Sequence, residues 1–268
     1  MSTPKSPETA RPGTQAIERA VQVVRELTLR PRLGWGLRDL ADRLGLSHST
    51  THRLLQVLVR EGLATQRQSD RRYLPGPLIF DFGLAMSAHA EFVALAGKPL
   101  QKLARQFDAQ AILFMKSGND WVCGALAGQP AYLGGGLEPG QRRPLITSAG
   151  GVAMMIALDR AEADAVLDQN LRQLGFLGQA SIDRLLRMLE RSRKLGYAWN
   201  RGETNVGVHS VALPVFDRSG HHPVMASISI SGSEQRMPEE RVEMIVEALR
   251  QAVAPLAKQA RQLFEFLD

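Results

Sequence analysis

Residues 47–56 concentrate side chains able to read a nucleic acid. Ser47, His48, Ser49, Thr50, His52, Arg53 and Gln56 are all polar and fall within about three helical turns. Arginine can grip guanine through two parallel N–H donors or hold a phosphate, and glutamine can pair with adenine. No carboxylate occurs from position 47 to position 60, so nothing on this stretch repels a polyanion. A second basic group follows at Arg67, Arg71 and Arg72, opposed by the single Asp70. Far along the chain, Ser227, Ser229 and Ser231 alternate with Ile228 and Ile230, which sets the hydroxyls on one strand face. Such a row is either solvated edge surface or a pocket wall that offers hydroxyls to a small polar ligand. The stretch TSAGGVAMM, residues 147–155, adds a helix start whose free N–H groups can join serine hydroxyls around a carboxylate without a buried cation.

Enzyme chemistry finds little support. The chain holds no Gly-x-Ser-x-Gly, His-Glu-x-x-His, P-loop or Gly-x-Gly-x-x-Gly pattern. The run Gly134–Gly136 lacks a third spaced glycine and a helix start, and reads as a loop. His209, Ser210 and Asp217 cannot form a triad if 209 and 210 share a strand, because neighbours there point to opposite faces. Cys123 is the only cysteine. It excludes an intrachain disulfide and a cysteine-based metal site within one chain, and fits a reducing cytoplasm. No metal or cofactor is expected.

The elements that must position the polar residues follow from periodicity. Ile17, Val21, Val24 and Leu27 mark one helix face, and Leu37, Leu40, Ala41 and Leu44 a shorter one closed by Gly45. Ser47 is suited to cap a third helix running to about Glu61, with Leu54, Leu55 and Leu58 as its apolar anchor. Residues 63–74 read as two short strands around a polar tip. Helix, glycine turn, helix and basic hairpin together make a helix-turn-helix with a wing. An ordinary amphipathic helix pair with a solvated face is the competing reading of the periodicity alone.

From position 91 the pattern changes to mixed α/β. A helix is expected over 92–107, strands over 111–115 and 121–127, and helices over 148–158 and 161–174. A further helix capped by Ser181 and ended by Gly196, strands over 208–216 and 224–231 around a turn at 217–220, and a terminal helix over 239–266 complete the pass.

Charge supports the division. The chain has 268 residues, enough for two domains, and a net charge of +6. Residues 1–90 hold 13 of the 33 Lys and Arg but 8 of the 27 Asp and Glu, so the excess lies on the helix-turn-helix part, where it suits a polyanion. Residues 1–13 read as a disordered tail, not a signal peptide, and no apolar run reaches the ~20 residues of a membrane span.

The string GLSHSTTHRLLQVLVREGLATQ, with AIERAVQVVREL before it and RRYLPGPLIFDFG after it, resembles the DNA-binding domain of the IclR family of bacterial regulators. The segments GQRRPLITSAGGVAMMIA, RKLGYAWNRGETNVGVHSVALPVFDRSG and ASISISG resemble the family's C-terminal domain. The resemblance implies an α+β chain: an N-terminal winged helix-turn-helix over 14–76, a linker helix over 77–90, and a GAF/PAS-like α/β domain over 91–268 for effector binding and oligomerisation. By position it implies Ala149, Gly150, Asn200, Ser210, Ser229 and Ser231 as effector contacts. Asn200 and Ser210 stand where some relatives have Asp and Cys, and Val152 replaces a frequent Lys. The partners implied are double-stranded DNA with a palindromic operator, a small organic acid, and a second copy of the chain, in a dimer or a dimer of dimers. A DNA-binding protein that needs no effector and a small-molecule enzyme are the alternatives.

Overall fold

The computed structural model describes residues 14–130, 137–215 and 226–264. The expected tail over 1–13, the loop at Gly134–Gly136 and the turn at 217–220 lie outside them, as do Asp217 and the last residues of the expected terminal helix. Contacts divide the chain into two compact units, Met1–Met86 and Ser87–Asp268.

The first unit contains α1 (Thr14–Leu29), α2 (Leu37–Leu44), α3 (His48–Arg60), the strands β1 (Ala64–Gln66) and β2 (Tyr73–Pro75), and α4 (Pro77–Ala85). Val23 and Leu27 of α1, Leu40 of α2, and Leu55 and Leu58 of α3 meet in one buried cluster with Trp35 and Tyr73. Each such aliphatic side chain contributes about 1.5–3 kcal/mol on burial. Gly45 ends α2 in the left-handed region, φ 62°, which lets the chain turn sharply into α3. β1 and β2 pair antiparallel, and Trp35 pairs with Tyr73 beside them through two backbone hydrogen bonds of 2.9 and 2.8 Å. The indole of Trp35 donates to Glu26 O at 2.8 Å and lies under the guanidinium of Arg30. The hairpin is therefore stitched to the helical body, not only to itself.

The expected linker helix over 77–90 is divided. Helix α4 stops at Met86, whose backbone leaves helical geometry at φ −93°, ψ 52°, and the next residue opens α5 (Ser87–Phe107) in the second unit.

The second unit is built on a six-stranded antiparallel sheet. Its strands are β3 (Gln110–Ser117), β4 (Asp120–Ala127), β5 (Arg142–Pro144), β6 (Ala198–Arg201), β7 (Val208–Val215) and β8 (Ala226–Ser233), in the order β5-β4-β3-β8-β7-β6. Helices α6 (Ala149–Ala157), α7 (Arg160–Gln173), α8 (Gln179–Leu195) and α9 (Val242–Phe264) complete it. Strand alternation separates two cores. Leu113, Val211, Ile228 and Ile230 pack with apolar residues of α5 and α9, and Ile112, Phe114 and Ala212 pack with those of α6 and α8. Strands β5 and β6 are too short to show a sequence period. Helix α8 is capped by Gly178, not by Ser181: the Ser181 N–H already bonds to Gly178 O at 2.9 Å, inside the first turn. The terminal helix begins at Val242, after a single 3-10 turn over Glu239–Arg241.

Candidate functional site

Helix α3 is held by its buried side and offers the other. Ser47 caps it, its hydroxyl accepting from the Thr50 N–H at 3.2 Å and donating to Thr50 Oγ1 at 2.8 Å. Thr51, fully buried, donates from its hydroxyl to Ser47 O at 3.1 Å, so a polar residue on the core side leaves no orphaned group. Opposite, His48, Ser49, His52, Arg53 and Gln56 are exposed, and Thr50 is half-buried. Positions 48, 52 and 56 stack at four-residue spacing, with 49 and 53 beside them. The side chains of His48, His52, Arg53 and Gln56 engage no other group among the described residues. They are free to bind a partner, whereas the hydroxyls of Ser47, Ser49 and Thr50 form a local network around the cap.

The hairpin arginines divide by role. Arg67 donates to both carboxylate oxygens of Asp70, at 2.9 and 2.7 Å, and to the carbonyls of Arg32 and Leu33 at 3.0 and 2.9 Å. This guanidinium holds Asp70 down at a pKa of about 2. Arg72 turns back to Gly34 O at 3.1 Å. Only Arg71, exposed at the tip with φ 58°, has its guanidinium unengaged. Two of the three arginines expected to face a partner are thus occupied in fixing the hairpin, because the loop carbonyls at 32–34 lie within reach.

The second unit encloses a cavity of about 360 Å³ between the sheet and the segment running from β5 into α6. Ser210, Ser229, Ser231 and Ala149 line it. Ser210 Oγ and Ser231 Oγ share a hydrogen bond of 2.8 Å, and the Ser229 hydroxyl has no hydrogen-bond partner among the described residues. Ser227, on the same strand face, is outside the cavity and donates to Gly150 O at 2.8 Å. Gly150 and Asn200 are not lining residues. A Cβ at Gly150 would sit 2.0 Å from a ring carbon of Phe114, so this glycine serves the approach of α6 to β3. Asn200 is buried, donating to Val208 O at 2.9 Å and accepting from the Thr204 N–H at 3.1 Å. It shapes the loop that brings Thr204 and Asn205 to the cavity.

Several lining residues were not expected. Gln110, Phe114 and Trp121 come from the inner faces of β3 and β4, and Arg143 from β5. Asn170, fully buried on α7, accepts from the Ile146 N–H at 3.0 Å and donates to Asn119 O at 2.8 Å, pinning the turn before α6. Thr147 is fixed from both sides, donating to Pro144 O and accepting from the Trp121 indole. His209 points away from the cavity, its ring in contact with Met237 O at 3.0 Å, so it does not meet Ser210. Among the described residues no group of three or more His, Cys, Asp or Glu is arranged to hold a metal, and no single helix is long and apolar enough to cross a membrane.

Comparison with known proteins decides the family. Residues 16–68 match the IclR helix-turn-helix domain, and residues 85–257 match the model described as bacterial transcriptional regulator IclR C-terminal. The chain belongs to the IclR family of transcriptional regulators. It is 29% identical over 240 residues to the HTH-type transcriptional repressor AllR of Salmonella typhi, covering 87% of this chain and 85% of that protein. AllR of Escherichia coli K12 is 28% identical over 239 residues, with the same coverage. An IclR-family regulator from Brucella abortus shares the fold at a TM-score of 0.73 and 22% identity, over 96% of each chain. An IclR homologue of Microbacterium hydrocarbonoxydans, solved with 4-hydroxybenzoate, shares it at 0.68 and 19%, over 92% of this chain and 99% of that one. The IclR-family assignment places this chain among DNA-binding regulators, not enzymes.

Proposed function

We propose that this IclR-family regulator binds a palindromic DNA site as a homodimer, or a dimer of dimers, and that a small organic acid in the cavity of its second unit alters that binding. The observation that carries the DNA reading is the exposed, carboxylate-free face of α3, with Arg53, His48, His52 and Gln56 unengaged. In this reading α3 enters the major groove, Arg53 and Gln56 contact bases, and Arg71 reaches the phosphate backbone beside it. Ser49 and Thr50, with the N–H groups at the start of α3, hold a further phosphate.

Pairing of two copies is supported by apolar side chains left on the surface of the first unit. Ile17 and Val21 on α1, and Phe80, Phe82 and Leu84 on α4, are between 46% and 68% exposed. Patches of that kind mark protein interfaces. The effector reading is supported by the serine-lined cavity and by the Microbacterium homologue in complex with 4-hydroxybenzoate. An effector changes DNA affinity only if it prefers one arrangement of the dimer to another.

Fluorescence-anisotropy titration with DNA from the promoter beside the gene tests the proposal, with and without small organic acids. Salt-dependent, saturable binding that an acid shifts in the wild type, but not in the Ser229→Ala/Ser231→Ala variant, supports it. Binding with no preference over unrelated DNA contradicts it.

A further inference from the structure

Resting on the proposed DNA-binding role of the first unit, we infer that the loop between α1 and α2 is a second anchor on the DNA backbone. Arg32 holds a phosphate next to the one held by Arg71, so the wing is a composite of the hairpin and this loop. Three observations lead there.

The first is attachment. The Arg67 guanidinium donates to Arg32 O at 3.0 Å and to Leu33 O at 2.9 Å, and Arg72 donates to Gly34 O at 3.1 Å. Trp35 and Tyr73 continue the seam through paired backbone hydrogen bonds. Gly34 permits the approach. Its φ is 72°, and a Cβ there would lie 3.0 Å from Tyr73 O and 3.1 Å from Arg72 Cβ. The Arg71 N–H in turn donates to Arg67 O at 3.0 Å. Arg32 and Arg71 are thus both tied to Arg67, one through its side chain and the other through its carbonyl.

The second is charge. Residues 30–35 and 66–73 together hold five arginines and one carboxylate, Asp70. Arg67 and Arg72 share Asp70, and the guanidinium of Arg30 lies 3.9 Å from the ring centroid of Trp35. Arg32 and Arg71 are exposed, and neither guanidinium makes a hydrogen bond or ion pair among the described residues. Two free guanidinium groups on one side of the unit, beside a single neutralised acid, suit a polyanion, and each can hold a phosphate through paired donors.

The third is preorganisation. An arginine on an unrestrained loop loses backbone and side-chain freedom when it binds, and that loss offsets the contact. Here the backbone of Arg32 is fixed by the hairpin before DNA arrives, so only its side chain has to be ordered. A phosphate contact fixes orientation on the duplex and carries no base information. Arg32 therefore contributes affinity and register, while sequence preference stays with α3.

Anisotropy titration of the full chain over a range of salt concentrations tests this, with the promoter fragment beside the gene and with an unrelated duplex of equal length. Arg32→Ala is expected to lower the slope of log affinity against log salt by about one on both duplexes, and Arg32→Ala/Arg71→Ala by about two. Arg32→Lys, which keeps the charge, is expected to stay near the wild-type slope. Ethylation interference on the promoter fragment is expected to mark neighbouring phosphates, one silent in Arg32→Ala and the other in Arg71→Ala. Circular dichroism checks that the variants are folded. An Arg32→Ala slope equal to that of the wild type overturns the assignment; if the wild type still prefers the promoter to the unrelated duplex, the proposed function stands. A slope lowered equally by Arg32→Lys also overturns it, because charge is then not the cause. A slope that falls as expected in a protein with no preference for the promoter supports the backbone anchor and sinks the sequence-reading role of α3 instead.

Discussion

Arg67 grips Asp70 through two N–H···O contacts of 2.9 and 2.7 Å, and the same guanidinium holds the loop carbonyls of Arg32 and Leu33. The hairpin of the DNA-binding unit is thus locked to the loop before α2, and its exposed tip is left to Arg71.

This division predicts different phenotypes for neighbouring arginines. Arg71→Ala weakens DNA binding about equally across sequences and lowers the salt dependence by about one ion, with thermal unfolding unchanged. Arg67→Ala lowers the stability of the first unit and weakens DNA binding only through it. Asp70, depressed to a pKa of about 2, stays ionised throughout the neutral range. A carboxylate with a lowered folded pKa contributes stability above its unfolded value and loses it as pH falls toward the folded one. The Asp70 contribution is therefore constant above about pH 5 and disappears between about pH 4 and 2. Unfolding followed by circular dichroism should show Asp70→Asn converging with the wild type as pH falls through that window.

Removing the cap of α3 tests how the reading helix is positioned. Ser47→Ala deletes the acceptor for the Thr50 N–H and the donor to Thr50 Oγ1. A loss of about 1 kcal/mol is expected from chemical denaturation, with Ser47→Asp retaining most of the stability.

Asn170 provides a test of the cavity's scaffold. Asn170→Leu leaves the Ile146 N–H without its acceptor in the core, while the half-buried Asn119 carbonyl keeps the Leu145 N–H at 3.2 Å. Destabilisation of about 1–3 kcal/mol is expected in urea unfolding, the cost of one unsatisfied buried group. A change within 0.5 kcal/mol, roughly the scatter of neutral surface substitutions, would show that water or a shifted turn replaces the amide.

Burial pushes the Cys123 thiol up to about 12. The native protein should therefore resist a thiol-selective reagent at pH 8 and react with one equivalent per chain only on unfolding.

Legibility in the sequence followed the length and regularity of each element. The helical faces of α2 and α3 were readable because Leu40, Leu55 and Leu58 recur at helical spacing, and Gly45 and Ser47 carry the turn chemistry themselves, whereas on α1 the expected face is only partly right: Leu27 is buried, but Ile17 and Val21 are exposed and Val23 enters the core in their place. The serine face of β8 was readable as a face, but period two cannot say which serine meets a cavity. Ser227 and Ser229 look alike until Gly150 O is seen to take one of them. Strands β5 and β6 span three and four residues, too few for any period to emerge. Arg143 could not be separated from Arg142, because only the fold shows that Asp120 engages one and not the other. Gln110 left a faint signal, a polar residue at the inward parity of the otherwise apolar run Ala111–Phe114. Asn200 was assigned by position in the family pattern, and its hydrogen bonds to Val208 and Thr204 give it a structural task instead.

The central claim is that the exposed face of α3 reads DNA, and Arg53 tests it most directly. Anisotropy titration of the wild type and Arg53→Ala against the promoter site should show affinity weakened by about 1–3 kcal/mol, roughly 5- to 150-fold. Circular dichroism, unfolding midpoint and acid binding should stay unchanged, because Arg53 is exposed and makes no side-chain hydrogen bond or ion pair among the described residues. Equal affinity of the two proteins for the site, under conditions where the wild type discriminates it from unrelated DNA, would contradict the account.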